Sequence, residues 1–180
     1  GKAGNLNYTL ETYCVDYDFI IILDADMAPR KNCVDILLKA IMATTDQVCM
    51  VQAPHRFRDL RKLDLFQSRN LLFHAIFLPY YGACGFCPFV GCNAIFRNQA
   101  LKAVGNFPVT SVTEDVLLGL RLHSLNYRSL YITSDVAYGT SPQSGAQLLN
   151  QRMRWSWGGI ELFLKEIPAV LALGKVNAML

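Results

Sequence analysis

The sequence contains few charged residues. Asp, Glu, Lys and Arg make up 17% of its 180 residues, whereas about 25% is usual for a soluble protein. This low charge, with a hydrophobic content of 52%, excludes an intrinsically disordered chain and a chain with acidic or basic tails. The formal net charge is only +3, which gives no indication of a nucleic-acid partner. The composition fits a globular, core-rich chain and leaves a small anionic ligand open.

Charged residues are absent from residues 71–96. As one continuous helix, this stretch would cross a bilayer core of about 30 Å. Pro79, Pro88 and Gly91 interrupt it, and such residues mark turns rather than the interior of a helix. We therefore predict a helix, a loop and a buried strand here, and no membrane span.

The sequence also lacks an initiator Met, internal repeats and low-complexity tracts. Without repeats or a linker, residues 1–180 are predicted to form a single domain. Because the chain begins at Gly1 and closes on the apolar stretch 172–180, we expect it to be truncated at both ends.

No secretory signal peptide is recognised before the six cysteines, so we predict reduced thiols rather than disulfides. Cys84 and Cys87 form a C-x-x-C pair, and Cys92 and His74 would complete four ligands for zinc. No second C-x-x-C follows, and small buried thiols in a Gly-rich apolar region are the favoured interpretation.

The hydrophobic pattern predicts an α/β fold with a mostly parallel sheet flanked by helices. Residues 19–23 form a continuous apolar run, as in strands that are covered on both faces. Apolar residues at helical spacing follow Pro29, and residues 48–51 form a second strand, an order that favours a right-handed crossover. Further along, the pattern predicts a helix from Leu65 that Pro79 ends, a strand over 89–96, a helix opened by a capping box at 111–114, and a last helix from about Gln147 to Pro168.

Two aspartates, Asp24 and Asp26, directly follow the first predicted strand. In an extended backbone residues i and i+2 point the same way, and two carboxylates about 4 Å apart repel by about 4 kcal/mol at an effective dielectric of 20. Mg²⁺ or Mn²⁺ would relieve this repulsion and would also accept phosphate oxygens as ligands. Ligands of open α/β sheets bind at the carboxyl ends of strands, so the pair predicts a metal-bound nucleoside diphosphate. The structural alternative is a turn whose aspartate caps the next helix.

Six short motifs occur in order along the chain. They are K-A-G-N-L-N at 2–7, D-A-D at 24–26, V-Q-A-P at 51–54, G-C-N-A at 91–94, T-E-D at 113–115 and Q-R-M-R-W at 151–155. In this order they are similar to the motifs of processive family-2 glycosyltransferases, and nearly the whole chain resembles the cytosolic catalytic domain of the cellulose synthase group. The resemblance implies a GT-A fold, a nucleotide-sugar donor, and Mg²⁺ or Mn²⁺ as cofactor.

The resemblance implies donor-side roles for four residues. Asp24 would lie near the nucleotide and share the metal with Asp26, while Lys2 would place a positive charge close to the nucleotide. Arg154 would meet the diphosphate through two parallel hydrogen bonds, a geometry that Lys cannot reproduce. Neutralising the leaving diphosphate in this way favours its departure.

The resemblance implies that Asp115 is the general base that takes a proton from the acceptor hydroxyl, so that the anomeric configuration inverts. Two effects oppose each other at this residue, because a helix N-terminus favours the carboxylate whereas burial raises its pKa. Glu114 would support the acceptor site, or would simply belong to the capping box that opens the helix.

Gln151, Arg154 and Trp155 lie at i, i+3 and i+4, and therefore on one face of a helix. Trp155 would offer a flat surface to a sugar ring, and Gln151 would help to hold the acceptor. Gly91 and Cys92 occupy the place of the acceptor-lining F-F-C-G-S motif of bacterial cellulose synthases but depart from it, which leaves the sugar and the linkage open.

The predicted function is the inverting, processive, metal-dependent transfer of a hexose, with glucose as first choice, from a UDP-sugar to a growing β-linked polysaccharide. Alternatives are a chitin- or hyaluronan-type synthase that uses UDP-N-acetylhexosamine, a non-processive glycosyltransferase, and a nucleotide-sugar-binding module without turnover. The resemblance implies a multi-pass membrane protein whose catalytic domain faces the cytoplasm, with the first donor-binding strand and the transmembrane helices outside this chain. An amphipathic face of the last helix would suit the membrane interface; it comprises Trp157, Ile160, Phe163 and Leu164.

Overall fold

The computed structural model of the chain describes residues 1–60, 64 and 70–166. The helices in these ranges are α1 (Lys2–Thr12), α2 (Cys33–Met42), α3 (Leu78–Ala83), α4 (Asn98–Ala103), α5 (Glu114–Ser124) and α6 (Gly145–Glu161), with π-helical turns at Phe73–Phe77 and Leu162–Glu166. The strands are β1 (Phe19–Ile22), β2 (Ala28–Pro29), β3 (Val48–Gln52), β4 (Ala94–Arg97), β5 (Arg128–Tyr131) and β6 (Ala137–Tyr138).

Four of these strands form the main sheet, in the order β1-β4-β3-β5. Strand β4 is antiparallel to both of its neighbours, and β3 and β5 are parallel. Strands β1, β3 and β5 therefore share one direction, and β4 runs against them between β1 and β3. The predicted α/β class is confirmed, but the sheet is mixed rather than mostly parallel in its pairing. An apolar run predicts that a strand is buried and does not encode the direction in which it enters the sheet.

Helices cover both faces of this sheet. One apolar cluster contains Phe89, Phe96 and Phe107 with residues of α1, α4 and α5. The other contains Leu37 and Ile41 of α2 against residues of β3 and β4. Strand β3 is buried along its whole length, as expected for a strand between two neighbours and two helical layers.

The helix that was predicted to end at Pro79 continues to Ala83. A π-helical turn at Phe73–Phe77 leads into α3, where Pro79 occupies the first turn. Phe77 and Leu78 before it have helical dihedral angles, and the Leu78 backbone N–H bonds to the Phe73 carbonyl oxygen. Pro79 therefore lies inside a continuous helical segment, at the point where the bonding pattern changes from π to α. The predicted start of this helix at Leu65 lies outside the described residues.

Two further predictions about local structure are wrong. The helix predicted from a capping box begins at Glu114 with Thr113 as its N-cap, and no side chain caps it. Ser111 instead accepts a hydrogen bond from the Thr113 backbone N–H at 3.2 Å. The strand predicted over 89–96 is restricted to β4, because Gly91 and Asn93 have left-handed φ angles of 91° and 57° that interrupt an extended strand.

The last helix begins near its predicted position. The Ser144 hydroxyl accepts a hydrogen bond from the Gln147 backbone N–H at 3.2 Å, which satisfies one of the free donors at the start of α6. Pro168, the predicted end, lies outside the described residues. In the part of the chain that the structure describes, no helix combines the length and the hydropathy that a membrane crossing requires.

Candidate active site

Several segments meet at one edge of the main sheet. Ile22 at the end of β1 and Gln52 at the end of β3 are both paired with Ala94, the first residue of β4. The residues that follow β1 and β3 therefore lie beside the residues that precede β4. This brings Asp24 and residues 90–92 into a common cleft.

Lys2 connects three of the sequence motifs. It is the first residue of α1, and its ammonium group forms an ion pair with the Asp24 carboxylate and donates a hydrogen bond of 2.6 Å to the Gly91 carbonyl oxygen. The side chains of Lys2 and Asp24 are 37% and 38% exposed, so this pair contributes little to stability. The ion pair instead fixes the position of the Lys2 ammonium group, which places a positive charge beside the Asp24 carboxylate.

Gly91 separates this lysine from the predicted general base. Its φ angle is 91°, a conformation that favours glycine. A Cβ atom at this position would lie 3.1 Å from Oδ2 of Asp115 and 3.8 Å from Nζ of Lys2. The absence of a side chain therefore leaves the Asp115 carboxylate accessible from this side.

Asp115 lies in the first turn of α5. Burial raises its pKa from 3.8 to about 6, against the opposing effects of a hydrogen bond from the Val116 backbone N–H and the positive charge of Lys2. The bond from Val116 to Oδ1 is 2.9 Å long. Burial therefore outweighs the groups that favour the carboxylate, and a pKa near 6 suits a base that works at neutral pH.

Helix α6 carries the Q-R-M-R-W motif along one side of the cleft. Gln151, Arg154 and Trp155 all line it, and Trp155 is 45% exposed. The Arg152 guanidinium lies 5.0 Å from the centre of the Trp155 ring, a cation–π contact that the motif alone did not predict.

The cleft has a volume of about 680 Å³ and brings together every predicted site residue. This size suits a small-molecule ligand. The structure thus places the predicted donor, metal, catalytic and acceptor residues around one space, whereas the role of each stays a prediction. They are Lys2, Asp24, Asp26, Gly91, Cys92, Glu114, Asp115, Gln151, Arg154 and Trp155.

Two histidines line the same cleft and were missed as site residues. Nε2 of His55 lies 2.9 Å from Sγ of Cys92, and the rings of His55 and His74 stack with centroids 5.5 Å apart. Burial lowers the pKa of both, that of His74 to about 4, so both are neutral at pH 7. His55 directly follows V-Q-A-P, a position that could have drawn attention to it, whereas His74 entered only as a zinc ligand.

The donor chemistry of the cleft fits a hard cation. Asp24 and Asp26 contribute carboxylate oxygens, and two carboxylates completed by phosphate and water are a usual set for Mg²⁺. Among the described residues, no group of three or more His, Cys, Asp and Glu side chains is arranged to hold a metal. The zinc alternative therefore lacks its ligand set, and all six cysteines are free thiols.

Two solved structures share this architecture. The mannosyltransferase PcManGT from Pyrobaculum calidifontis, solved in complex with GDP-Man and Mn²⁺, matches with a TM-score of 0.73 over 93% of this chain and 44% of that chain, at 21% identity. S. aureus TarS 1–349 in complex with UDP-GlcNAc matches with a TM-score of 0.51 over 78% of this chain and 39% of that chain, at 16% identity. The fold is that of a GT-A glycosyltransferase.

The chain belongs to glycosyl transferase family group 2, whose profile matches residues 19–178. It is 36% identical to a UDP-forming cellulose synthase catalytic subunit of Dictyostelium discoideum, over 90% of this chain and 16% of that protein. It is 32% identical to the UDP-forming cellulose synthase catalytic subunit of Komagataeibacter sucrofermentans, over 97% of this chain and 24% of that protein. The chain thus spans about a quarter or less of the length of these curated relatives.

Proposed function

We propose that the chain is the catalytic region of an inverting, processive glycosyltransferase that transfers glucose from UDP-glucose to a growing β-glucan. The convergence of ten motif residues on one cleft carries this proposal. Similarity to UDP-forming cellulose synthase subunits over 90% and 97% of the chain supports the donor and the product class. We further propose that residues 1–180 form a single domain.

The donor diphosphate binds between Lys2, Asp24 and Arg154. Arg154 donates parallel hydrogen bonds to phosphate oxygens, and Lys2 adds a positive charge beside Asp24. Asp24 and Asp26 would hold Mg²⁺ or Mn²⁺, which would supply positive charge to the diphosphate. The Mn²⁺ in the PcManGT complex supports the choice of a divalent cation.

The acceptor binds on the opposite side of the transferred sugar. Its hydroxyl oxygen forms a bond to the anomeric carbon while the bond from that carbon to the diphosphate oxygen breaks, and Asp115 accepts the hydroxyl proton. Attack opposite the leaving UDP inverts the anomeric configuration. Trp155 and Gln151 hold the acceptor sugar, and Gly91, Cys92 and Glu114 line its path beside Asp115.

We also propose that the complete protein is anchored in a membrane, with this chain on the cytoplasmic side. Large apolar side chains on the last described turns support an interfacial helix, because Trp157, Ile160, Phe163 and Leu164 are 56–67% exposed. Such a face suits burial at the boundary between lipid and water.

The test is a panel of labelled donors supplied to the complete protein, with analysis of product length. UDP-glucose, UDP-N-acetylglucosamine and UDP-glucuronic acid are compared in Mg²⁺, Mn²⁺ and EDTA. We expect a long glucan from UDP-glucose, and none in EDTA. A polymer of N-acetylhexosamine would favour the chitin- or hyaluronan-type alternative, a single transferred sugar would refute processivity, and UDP binding without transfer would identify a binding module.

A further inference from the structure

Helix α6 approaches the turn before α5 at a glycine. Gly158 is buried, whereas Trp157 and Gly159 on either side of it are exposed. A Cβ atom at position 158 would overlap the Cγ2 methyl group of Thr113 and would lie 3.0 Å from Oγ1 and 3.1 Å from Cβ of the same residue. Carbon atoms in contact are usually about 3.5–4.0 Å apart, so the two segments leave no space for a methyl group.

Two hydrogen bonds of its backbone hold Thr113 in place. Its backbone N–H donates to Oγ of Ser111 at 3.2 Å, and its carbonyl oxygen accepts from the Leu117 backbone N–H at 3.2 Å. A β-branched side chain is also restricted in χ1. A methyl group at position 158 would therefore displace α6 more readily than it would displace this turn.

Gly158 lies on the same face of α6 as the residues that line the cleft. Positions 151, 154, 155 and 158 are spaced by three, one and three residues, and such positions share one side of a helix. Gln151, Arg154 and Trp155 face the cleft, whereas Asp115 lies two residues after Thr113. The contact thus joins the segment that carries Arg154 and Trp155 to the segment that carries Asp115.

We infer that Gly158 is a positioning residue that sets the distance between α6 and the turn carrying Asp115. The inference rests on the proposed function, in which Arg154 binds the diphosphate and Asp115 accepts the proton. Gly158 does not touch substrate; it allows the two segments to approach closely enough to act on one sugar. The contact also accounts for glycine at a mid-helix position, where alanine is otherwise more favourable.

The adjacent glycine provides a matched control. Gly158→Ala and Gly159→Ala each add one methyl group to the same helix, but a Cβ atom at position 159 would have no neighbour within 4 Å. In the complete protein we expect Gly159→Ala to match the wild type. For Gly158→Ala we expect UDP affinity, measured by calorimetry, to fall roughly tenfold, and the transfer rate per UDP-binding site to fall roughly 10- to 100-fold.

A second substitution distinguishes displacement of α6 from a general loss of folding. Thr113→Ser removes the Cγ2 methyl group, which is the nearest atom, and keeps Cβ and the hydroxyl, so in the Gly158→Ala background it should recover part of the lost affinity and rate. Thr113→Ser alone is measured so that its own effect can be subtracted. Counting UDP-binding sites excludes unfolded molecules, because damage to folding lowers the number of sites and leaves the rate per site unchanged.

Three results would overturn the inference: equal behaviour of the two alanine variants, no recovery with Thr113→Ser, or a loss confined to the number of sites. UDP affinity is measured without any transfer. A complete protein that binds UDP and transfers no sugar would refute the proposed function, and the inference would then be decided by the affinities of the variants. A complete protein that binds no UDP would refute both.

Discussion

Asp115 shows how tertiary structure decides the chemistry of a single side chain. From the sequence, the start of a helix favours the carboxylate and burial favours the neutral acid. Burial is the larger effect and raises the pKa to about 6, while the N–H of Val116 and the charge of Lys2 only oppose it. The magnitude of burial depends on packing between distant segments, and no local pattern encodes it.

We expect Asp115→Asn to lower the transfer rate at least about 100-fold, because an amide cannot accept the acceptor proton. In the wild type the rate should fall about tenfold per pH unit below pH 6, since protonation removes the base. Above pH 6 the rate should level off. Initial rates of labelled-sugar transfer between pH 5 and 8 test both expectations, with donor binding followed separately.

Two controls accompany this prediction. Asp16→Asn changes an exposed acid and should leave the rate unchanged. The folded pKa of Asp115 lies above its ordinary value, so the unfolded chain binds fewer protons between about pH 4 and 6 and stability falls as pH rises through this window. Asp115→Asn should therefore be no less stable than the wild type at pH 8, and near-normal turnover by this variant would contradict the assignment of the base.

At the scale of elements, Gln52 fixes the loop that enters β4. Its buried side-chain amide donates hydrogen bonds to the carbonyl oxygens of Ala53 at 2.8 Å and Cys92 at 2.7 Å. Its Oε1 accepts a bond from the Val90 N–H at 3.2 Å. One side chain at the end of β3 thus satisfies backbone groups on both sides of Gly91, and it holds the predicted acceptor residues against the sheet.

Replacing Gln52 with Met should lower the free energy of unfolding by about 1–3 kcal/mol, because the side chain keeps its length but leaves buried backbone groups unpaired. Gln47→Met is the matched control, since Gln47 is exposed and its side chain donates a long hydrogen bond of 3.4 Å to the Asn126 carbonyl oxygen. That control should change stability by less than about 0.5 kcal/mol. Urea unfolding of this chain measures both, and equal stability of the two variants would show that the Gln52 bonds contribute nothing.

The sequence predicted helices and strands well where apolar residues recur at a regular spacing. It predicted them less well where a residue such as proline or serine can adopt several local geometries. Strands β1 and β3 and helix α2 lie where the apolar pattern placed them. Pro79 was expected to end a helix, but a π-helical turn places it in the first turn of α3. Ser111 was expected to cap α5 and bonds to Thr113 instead. Proline and serine each permit several local geometries, and tertiary packing selects among them.

At the scale of the whole molecule, one face of α6 and of the following π-helical turn exposes large apolar side chains, although Leu162 in the same turn is buried. Trp157 and Phe163 are 67% and 66% exposed. Large aromatic side chains on the surface of a helix indicate a partner surface or a membrane interface. In the proposed function this face rests on lipid while the other side of α6 faces the cleft.

We expect this chain to bind phosphatidylcholine–phosphatidylglycerol vesicles, and the double change Trp157→Ser and Phe163→Ser to weaken binding by about tenfold or more. Vesicle co-sedimentation measures the effect. Tyr8→Ser with Tyr17→Ser is the control, because these two aromatics are 60% and 64% exposed on other segments. Vesicle binding that survives the first pair of changes, or depends equally on the second, would exclude an interfacial role for this face.

The amino-acid sequence by itself determined the α/β class, because residue type and burial periodicity are local properties of a chain. Its motifs, through their resemblance to family-2 glycosyltransferases, pointed to ten residues that line the cleft. Only the tertiary structure decided the reversed direction of β4, the pKa of Asp115, the histidine pair and the contact of Gly158 with Thr113. Each of these depends on atoms that are far apart in sequence, and their separation and solvent exposure exist only once the layers have packed.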